Sequence, residues 1–485
     1  MERRSAFTPP WYVWLGGSLL AAGLLLRHPP AQLSGYGIVL ALGALAAVVG
    51  VVWFLWHVDA SYGLVAALCL TSFSGNWAAL GLTGFPLVPD RLLLALTAIA
   101  VVVRAPGARD RPRMVWRPEH LLLGLTLLYV VASAAWAGTL GTRTAIFAAI
   151  DQLGVAPFAL FLLAPLVFRD ERRRNVLLMG LLCLGTYLSL TAIFEVLGPR
   201  ALVFPRYIAD PSYGLQFGRA RGPFDEAVTD GFAMFACGVA AVIVRQTWPS
   251  RAIRRWATLL LPLCALGCLL TLERAVWIAV VLGAVAGMLT TRELRRRVVP
   301  VVLVGLLAVG AVYVAVPGIS SRASQRVADR LPVWDRQNQT AAGLRMLQDK
   351  PVLGFGWRTF QRDSQPYFLQ APTYPLTGSQ TVLHNVFLLN LVELGLLGTA
   401  IWLAAVAACI GGAIVRRGPP QLQPWHSGLA AIAVFWLVVV LFNPLQQTFS
   451  ELLLWTWAGI VAGGAWRARG TAPDDAGASA VASSV

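Results

Sequence analysis

Long apolar stretches separated by short polar connections dominate the chain. They run at roughly 11–26, 36–56, 60–73, 87–103, 120–137, 147–168, 176–197, 229–247, 256–271, 275–291, 298–316, 386–414, 426–442 and 450–466. A helix needs about 20 such residues to cross the ~30 Å hydrocarbon core of a bilayer. Each run is therefore read as a spanning helix, the stretch at 60–73 being notably short. The pattern predicts an all-α, polytopic integral membrane protein with about fourteen transmembrane helices. The first run, Trp11 to about Leu26, competes with a signal peptide. No small-residue cleavage site follows it; Arg27-His28-Pro29-Pro30 stands there instead, so a retained helix is expected.

Two connections break the rhythm. One covers 198–228; the other, 317–383, is a large loop between the helices near 298–316 and 386–414. These divide the chain into N-terminal helices (1–197), a region holding both long loops (198–415), C-terminal helices (416–470) and a tail (471–485). The tail is rich in Ala, Ser, Gly and Asp and is expected to be disordered. No internal repeat is evident.

Composition agrees with a lipid-embedded chain. Hydrophobic residues make up 57% and charged residues 13%, too much apolar surface for a soluble fold to hide. The six cysteines all lie in apolar runs and read as small core residues, not as bridges or metal ligands. The net charge of +16 would suggest nucleic acid on a soluble protein. Here the arginines are sorted by topology. With the N-terminus in the cytoplasm, 23 of 38 fall on inner segments and only Arg27, Arg91, Arg143 and Arg274 on short outer ones. That is the positive-inside bias of an integral membrane protein, and it removes the reason to invoke nucleic acid. The remaining eleven lie in the two long outer loops. Long loops escape the charge rule, so these arginines are either solvated surface or the wall of a cavity for an anionic substrate.

Three motifs share that outer side. Gly218-Arg219-Ala-Arg221-Gly222-Pro223-Phe224-Asp225-Glu226 closes the first long loop, and Gly222-Pro223 marks a turn flanked by Arg219 and Arg221. Leu272-Glu273-Arg274-Ala275 joins two helices with almost no loop, placing an ionisable pair at the lipid boundary. Such a pair is costly there unless it is internally paired or faces water. His384-Asn385 precedes nine residues and then Gly395-Leu-Leu-Gly398. On one continuous helix Gly395 and Gly398 fall within about 40° of His384, and they admit a neighbouring helix on that seam. Within the large loop, Arg345 lies on a short amphipathic helix expected from about Thr340 and stopped by Pro351, followed by a glycine turn at Gly354 and Gly356. The chain carries no phosphate-binding or dinucleotide loop, no Cys/His metal spacing and no Ser-centred hydrolase elbow.

In this order and on one side, these segments resemble the O-antigen ligase superfamily, which includes many O-antigen and exopolysaccharide polymerases. The resemblance runs from about 200 to 400 and is closest at His384-Asn385 with its glycines. Glu273 departs from it, standing where the family commonly has Ser, and the helix count exceeds the usual twelve by about two. The resemblance implies metal- and cofactor-independent glycosyl transfer on the periplasmic side of a bacterial inner membrane. The implied donor is a glycan on undecaprenyl diphosphate; the implied acceptor is a saccharide, lipid A core for a ligase or a growing glycan for a polymerase. His384 is then expected to serve the acceptor hydroxyl with Asn385 as its neighbour, and Arg219, Arg221, Arg274 and Arg345 to hold the diphosphate. Arginine suits that task through its fixed, forked, permanently charged donors. The competing reading is a multi-helix transporter or lipid-linked glycan flippase, which predicts related halves and polar groups near the midplane.

Overall fold

Capping residues and apolar length set the helices. The computed structural model describes residues 57–80, 88–104, 116–151, 153–214, 217–296, 298–315, 330–379, 382–416, 418–444 and 448–470, with Gly50 and Trp53. The expected helix at 11–26, most of that at 36–56 and the tail 471–485 lie outside the described residues. The helices are α1 (Ala60–Leu70), α2 (Pro89–Arg104), α3 (Pro118–Trp136), α4 (Arg143–Asp151), α5 (Val155–Val167), α6 (Glu171–Leu197) and α7 (Ala227–Thr247). They continue with α8 (Arg251–Leu270), α9 (Arg274–Leu289), α10 (Val298–Ala315), α11 (Leu331–Asp349), α12 (Val386–Val406), α13 (Gln423–Phe442) and α14 (Thr448–Gly470). Asp59, Asp170, Glu226 and Asn385 each accept a backbone N–H from the first turn they precede, so α1, α6, α7 and α12 begin where a side chain satisfies an orphan donor.

The protein is all-helical, with no strand among the described residues, and it is an integral membrane protein. Seven described spans are long and apolar enough to cross a bilayer, while Ala60–Phe73 and Arg274–Leu289 are apolar but shorter. The apolar run at 147–168 belongs to one of these spans, which is built of two helices, α4 and α5. They turn at Gly154, where a Cβ would lie 2.0 Å from the Ala149 carbonyl oxygen. α12 runs through a π-helical turn, Ala407–Gly411, to Val415.

Close helix pairs organise the bundle: α9 with α13, α7 with α8, α5 with α14, α6 with α8, and α3 with α12. Small residues permit them. A Cβ on Gly283 of α9 would stand 2.8 Å from the Ala431 carbonyl oxygen of α13. Phe161, Leu182, Phe232, Phe435 and Trp457 are fully buried in the shared core. Consecutive spans alternate direction, which collects α6's C-terminus, the α8–α9 corner and the N-termini of α7 and α12 at one end.

The large loop is held to that end in two ways. Its helix α11 begins at Leu331, nine residues before the expected start near Thr340, because Pro332 occupies the first turn, where a missing N–H costs nothing. The glycine turn then inserts into α12. Gly395 has φ 68° and ψ −176°, breaking the helix there. Phe355 and Gly356 donate to the Val392 and Glu393 carbonyls, and Leu396 and Leu397 donate to those of Pro351 and Val352. The continuous seam expected from His384 to Gly398 is therefore wrong at Gly395. That glycine admits the loop backbone, whereas Gly398 does face a neighbouring helix at Tyr129 of α3. The freed backbone groups are satisfied by protein, as helix breaks within a membrane require. Trp357, nearly fully buried, completes the dock: its N–H donates to Ser133 Oγ and its carbonyl accepts from Thr139 Oγ1.

Candidate active site

The first motif folds as a buried knot. Gly222–Phe224 is a single helical turn, with Gly222 at φ 53° and Asp225 in the left-handed region at φ 53°. Asn76 Nδ2 and the Tyr207 hydroxyl both donate to the Pro223 carbonyl and fix the turn from outside. Arg221 is 0% exposed. Its guanidinium pairs with Glu195 at 3.3 Å and donates to the carbonyls of Ile208, Asp210 and Tyr213. Glu195 also accepts the backbone N–H groups of Arg221 and Gly222. Arg221 is thus engaged in holding the first long loop to α6.

The second motif is joined to the first. The Ala220 N–H donates to the Leu270 carbonyl at 3.0 Å, at the end of α8. Arg219, 6% exposed, forms its ion pair with Glu273. Glu273 is therefore not spent on its neighbour Arg274; it is the partner of an arginine 54 positions away. Arg274 opens α9 and is exposed. Burial raises the Glu273 pKa above the usual carboxylate value, while Arg336, Arg274 and His384 pull it back.

His384 sits just before α12, and Asn385 is the cap, its Oδ1 accepting the Leu388 N–H at 3.0 Å. Asn385 therefore orients its neighbour through the backbone. His384 Nδ1 lies 2.8 Å from Gln339 Oε1 on α11. The Gln339 amide nitrogen donates to the Gly378 carbonyl, so its oxygen faces the imidazole. A carbonyl oxygen only accepts, so Nδ1 carries the hydrogen and Nε2 is the basic nitrogen of the neutral ring. Burial and then the Arg336 guanidinium push the His384 pKa below its usual 6.5, outweighing the Val382 backbone and the Asp335 and Glu273 carboxylates. The ring is held neutral and able to take a proton.

Two cavities meet at this imidazole. One, of about 470 Å³, is lined by Arg219, Glu273, Arg274, Asp335, Arg336, His384 and Asn443. The other, of about 790 Å³, is lined by Asp225, Glu226, Arg358, Gln361, His384, Glu393 and Asn443, with Asn76 and Tyr213 on its rim. His384 and Asn443 line both. Burial pushes the Asp225 carboxyl up to about 6 and the Glu226 carboxyl up to about 7. Glu393 is buried and accepts the backbone N–H groups of Arg358 and Phe360, which holds Arg358 at φ 62° against the larger cavity. Among the described residues no group of His, Cys, Asp and Glu is arranged to hold a metal ion.

Of the expected residues, His384, Arg219 and Arg274 come together around the smaller cavity. Arg221 and Arg345 line neither cavity; Arg345 donates to the Tyr367 carbonyl at 2.7 Å and braces the loop. Arg336, nine residues before Arg345 on α11, lines the smaller cavity. Its only sequence signal was membership of the seven arginines in the large loop. Gln339, Asn443, Asp225 and Glu226 carried no chemical signal of their own.

The chain is an integral membrane protein whose described helices carry an imidazole-containing pair of cavities at one end. Residues 257–403 match the family model described as O-antigen ligase, which supports the resemblance to the O-antigen ligase superfamily. The matched segment contains Arg274, Arg336, His384, the Gly354–Gly356 turn and the Gly395/Gly398 pair, but not Arg219 or Arg221. No curated protein matches the chain. The match supports a membrane glycosyltransferase-type role in polysaccharide biosynthesis.

Proposed function

We propose that this protein transfers a glycan from undecaprenyl diphosphate to a hydroxyl of an acceptor saccharide, at the periplasmic face of a bacterial inner membrane. The observation that carries the reading is the position of His384 on the wall shared by an arginine-rich cavity and a larger one. In this reading Arg219, Arg274 and Arg336 hold the diphosphate. Arg221 and Arg345 keep the loops that carry the site in place.

His384 Nε2 takes the proton of the acceptor hydroxyl as its oxygen bonds to the anomeric carbon. The bond from that carbon to the diphosphate oxygen breaks, and its electron pair leaves with the diphosphate, where the guanidinium groups stabilise the growing charge. Diphosphate leaves readily, so the paired carboxylates of a glycosidase are not needed. The proton on His384 passes to solvent or to the departing diphosphate, restoring the neutral ring. Family resemblance, the outer-loop arginines and the inner-segment arginine bias support the choice of carrier and face.

Purified protein supplied with a lipid-diphosphate glycan and an oligosaccharide acceptor tests the reading. Wild type is expected to give a longer saccharide and free lipid diphosphate in equal amounts. Release of neither product would refute it.

A further inference from the structure

The two cavities at His384 differ in sign. The smaller presents three arginines against Glu273 and Asp335; the larger presents Asp225, Glu226 and Glu393 against Arg358 alone. Above about pH 7, where Asp225 and Glu226 are ionised, an anionic group entering the larger cavity meets a net negative wall in a partly desolvated place, where like charges repel far more than in water. That wall also contains unmet hydrogen-bonding capacity. Asp225 is 8% exposed and its Oδ1 has no partner among the described residues; Asn443 is 7% exposed and its Nδ2 has none. Buried polar atoms without partners are rare in finished structures, and those lining a cavity point to a ligand that supplies the missing partner.

The missing partners are specific in kind. Asp225 Oδ1 needs a hydrogen to accept, and Asn443 Nδ2 needs a lone pair to receive its hydrogen. A sugar hydroxyl offers both. A carboxylate or an ionised phosphate offers only lone pairs, so it leaves Asp225 unmet and adds repulsion. The volume of about 790 Å³ lies in the range of pockets that take ligands larger than a single ring. Asp225 is held in its left-handed conformation by the turn that Asn76, Tyr207 and Arg221 fix, so its carboxylate is set before any ligand arrives.

We propose that the larger cavity seats the acceptor and that Asp225, with Glu226 and Asn443, selects an uncharged or amino-bearing saccharide over one carrying phosphate or uronate beside the reacting hydroxyl. This rests on the transfer reading above and adds the acceptor's chemical class. Charge sorts the two substrates: the anionic diphosphate to the arginines, the neutral sugar to the carboxylates, with one imidazole between them.

The test uses the purified full-length protein, a lipid-diphosphate glycan, and two soluble oligosaccharide acceptors of equal length, one ending in glucose and one in glucuronate. Wild type is expected to use the glucose-terminated acceptor on the order of tenfold or more faster, from like-charge repulsion alone. Asp225→Asn keeps the size and removes the charge; it should narrow the preference several-fold, chiefly by lowering KM for the glucuronate acceptor. Glu226→Gln keeps an oxygen to cap α7 and should narrow it in the same direction, which covers the case in which the Asp225 variant fails to fold. Equal or better use of glucuronate by wild type overturns the proposal while leaving the transfer reading standing. An unchanged preference in both folded variants does the same. Transfer to neither acceptor by wild type overturns the transfer reading, and the proposal with it.

Discussion

His384 takes its chemistry from a residue 45 positions away. Gln339, fully buried and turned by the Gly378 carbonyl, dictates which imidazole nitrogen is basic, and Arg336 helps keep the ring neutral. A base must be unprotonated to act, so the rate should rise with pH through a value below 6.5 and stay level across neutrality. Replacing Arg336 with Gln removes a cation that lowers that pKa. The acid limb of the pH–rate profile should then move to higher pH, though not by the whole shift, because burial is the larger cause. An unmoved limb would remove Arg336 from the site. Arg221 belongs to a different kind of residue. Arg221→Ala strands the buried Glu195 carboxylate, and breaking such a pair costs about 3–5 kcal/mol, so thermal melting of the purified variant should show a marked loss of stability. Arg274→Ala, at an exposed position, should melt like wild type and bind donor more weakly. His384 stood out in the sequence through its motif with Asn385 and the following glycines, and Arg274 because an ionisable pair is costly at a lipid boundary. Which carboxylate each arginine meets was not legible, because Arg219 and Arg221 are only two residues apart yet pair with Glu273 and Glu195 on different elements.

At the level of elements, the junction of the loop with α12 carries the site. Gly354 and Gly395 face each other backbone to backbone; a Cβ on Gly354 would lie 2.5 Å from both the Glu393 carbonyl oxygen and the Gly395 nitrogen. Gly354→Ala should therefore undock the 351–360 segment, exposing it to limited proteolysis and lowering transfer together with melting temperature. Periodicity placed α12, α13 and the long α6 closely, since continuous apolar runs leave few alternatives. It missed the break at Gly395, because a glycine in an apolar helix reads equally as a helix contact or as an opening for another chain segment. It also started α11 late: Leu331, Val333 and Trp334 cluster at the start instead of forming a helical stripe, and the polar run Asp335–Gln339 that follows carries Arg336 and Gln339.

For the whole molecule, the alternation of spans separates two populations of arginine. Arg173, Arg245, Arg254, Arg416 and Arg467 lie at the helix ends opposite the site, where Arg416 pairs with Glu119 and Arg467 donates to the Pro165 carbonyl. Arg219, Arg274 and Arg336 lie at the site. If the inner-segment bias sets the orientation, a cysteine at position 384 in an otherwise cysteine-free protein should react with an impermeant thiol reagent from the periplasm, and one at position 254 only from the cytoplasm. Labelling of both from one side would break the account of topology. The helical class and the multi-span character could be read from apolar length. The sign difference between the two cavities could not, since Asp225, Glu226 and Asn443 come together only when the α7 N-terminus meets the end of α13.

The central claim is that one imidazole acts on the acceptor while separate guanidinium groups hold the donor. Single-turnover transfer and donor binding, measured side by side on purified His384→Ala and Arg274→Ala, test it most directly. His384→Ala should bind the lipid-diphosphate donor as wild type does and transfer roughly 10²–10⁴-fold more slowly. Arg274→Ala should bind the donor more weakly and regain part of its rate at high donor concentration. Wild-type transfer by the His384 variant, or loss of donor binding equal in both, would contradict the account.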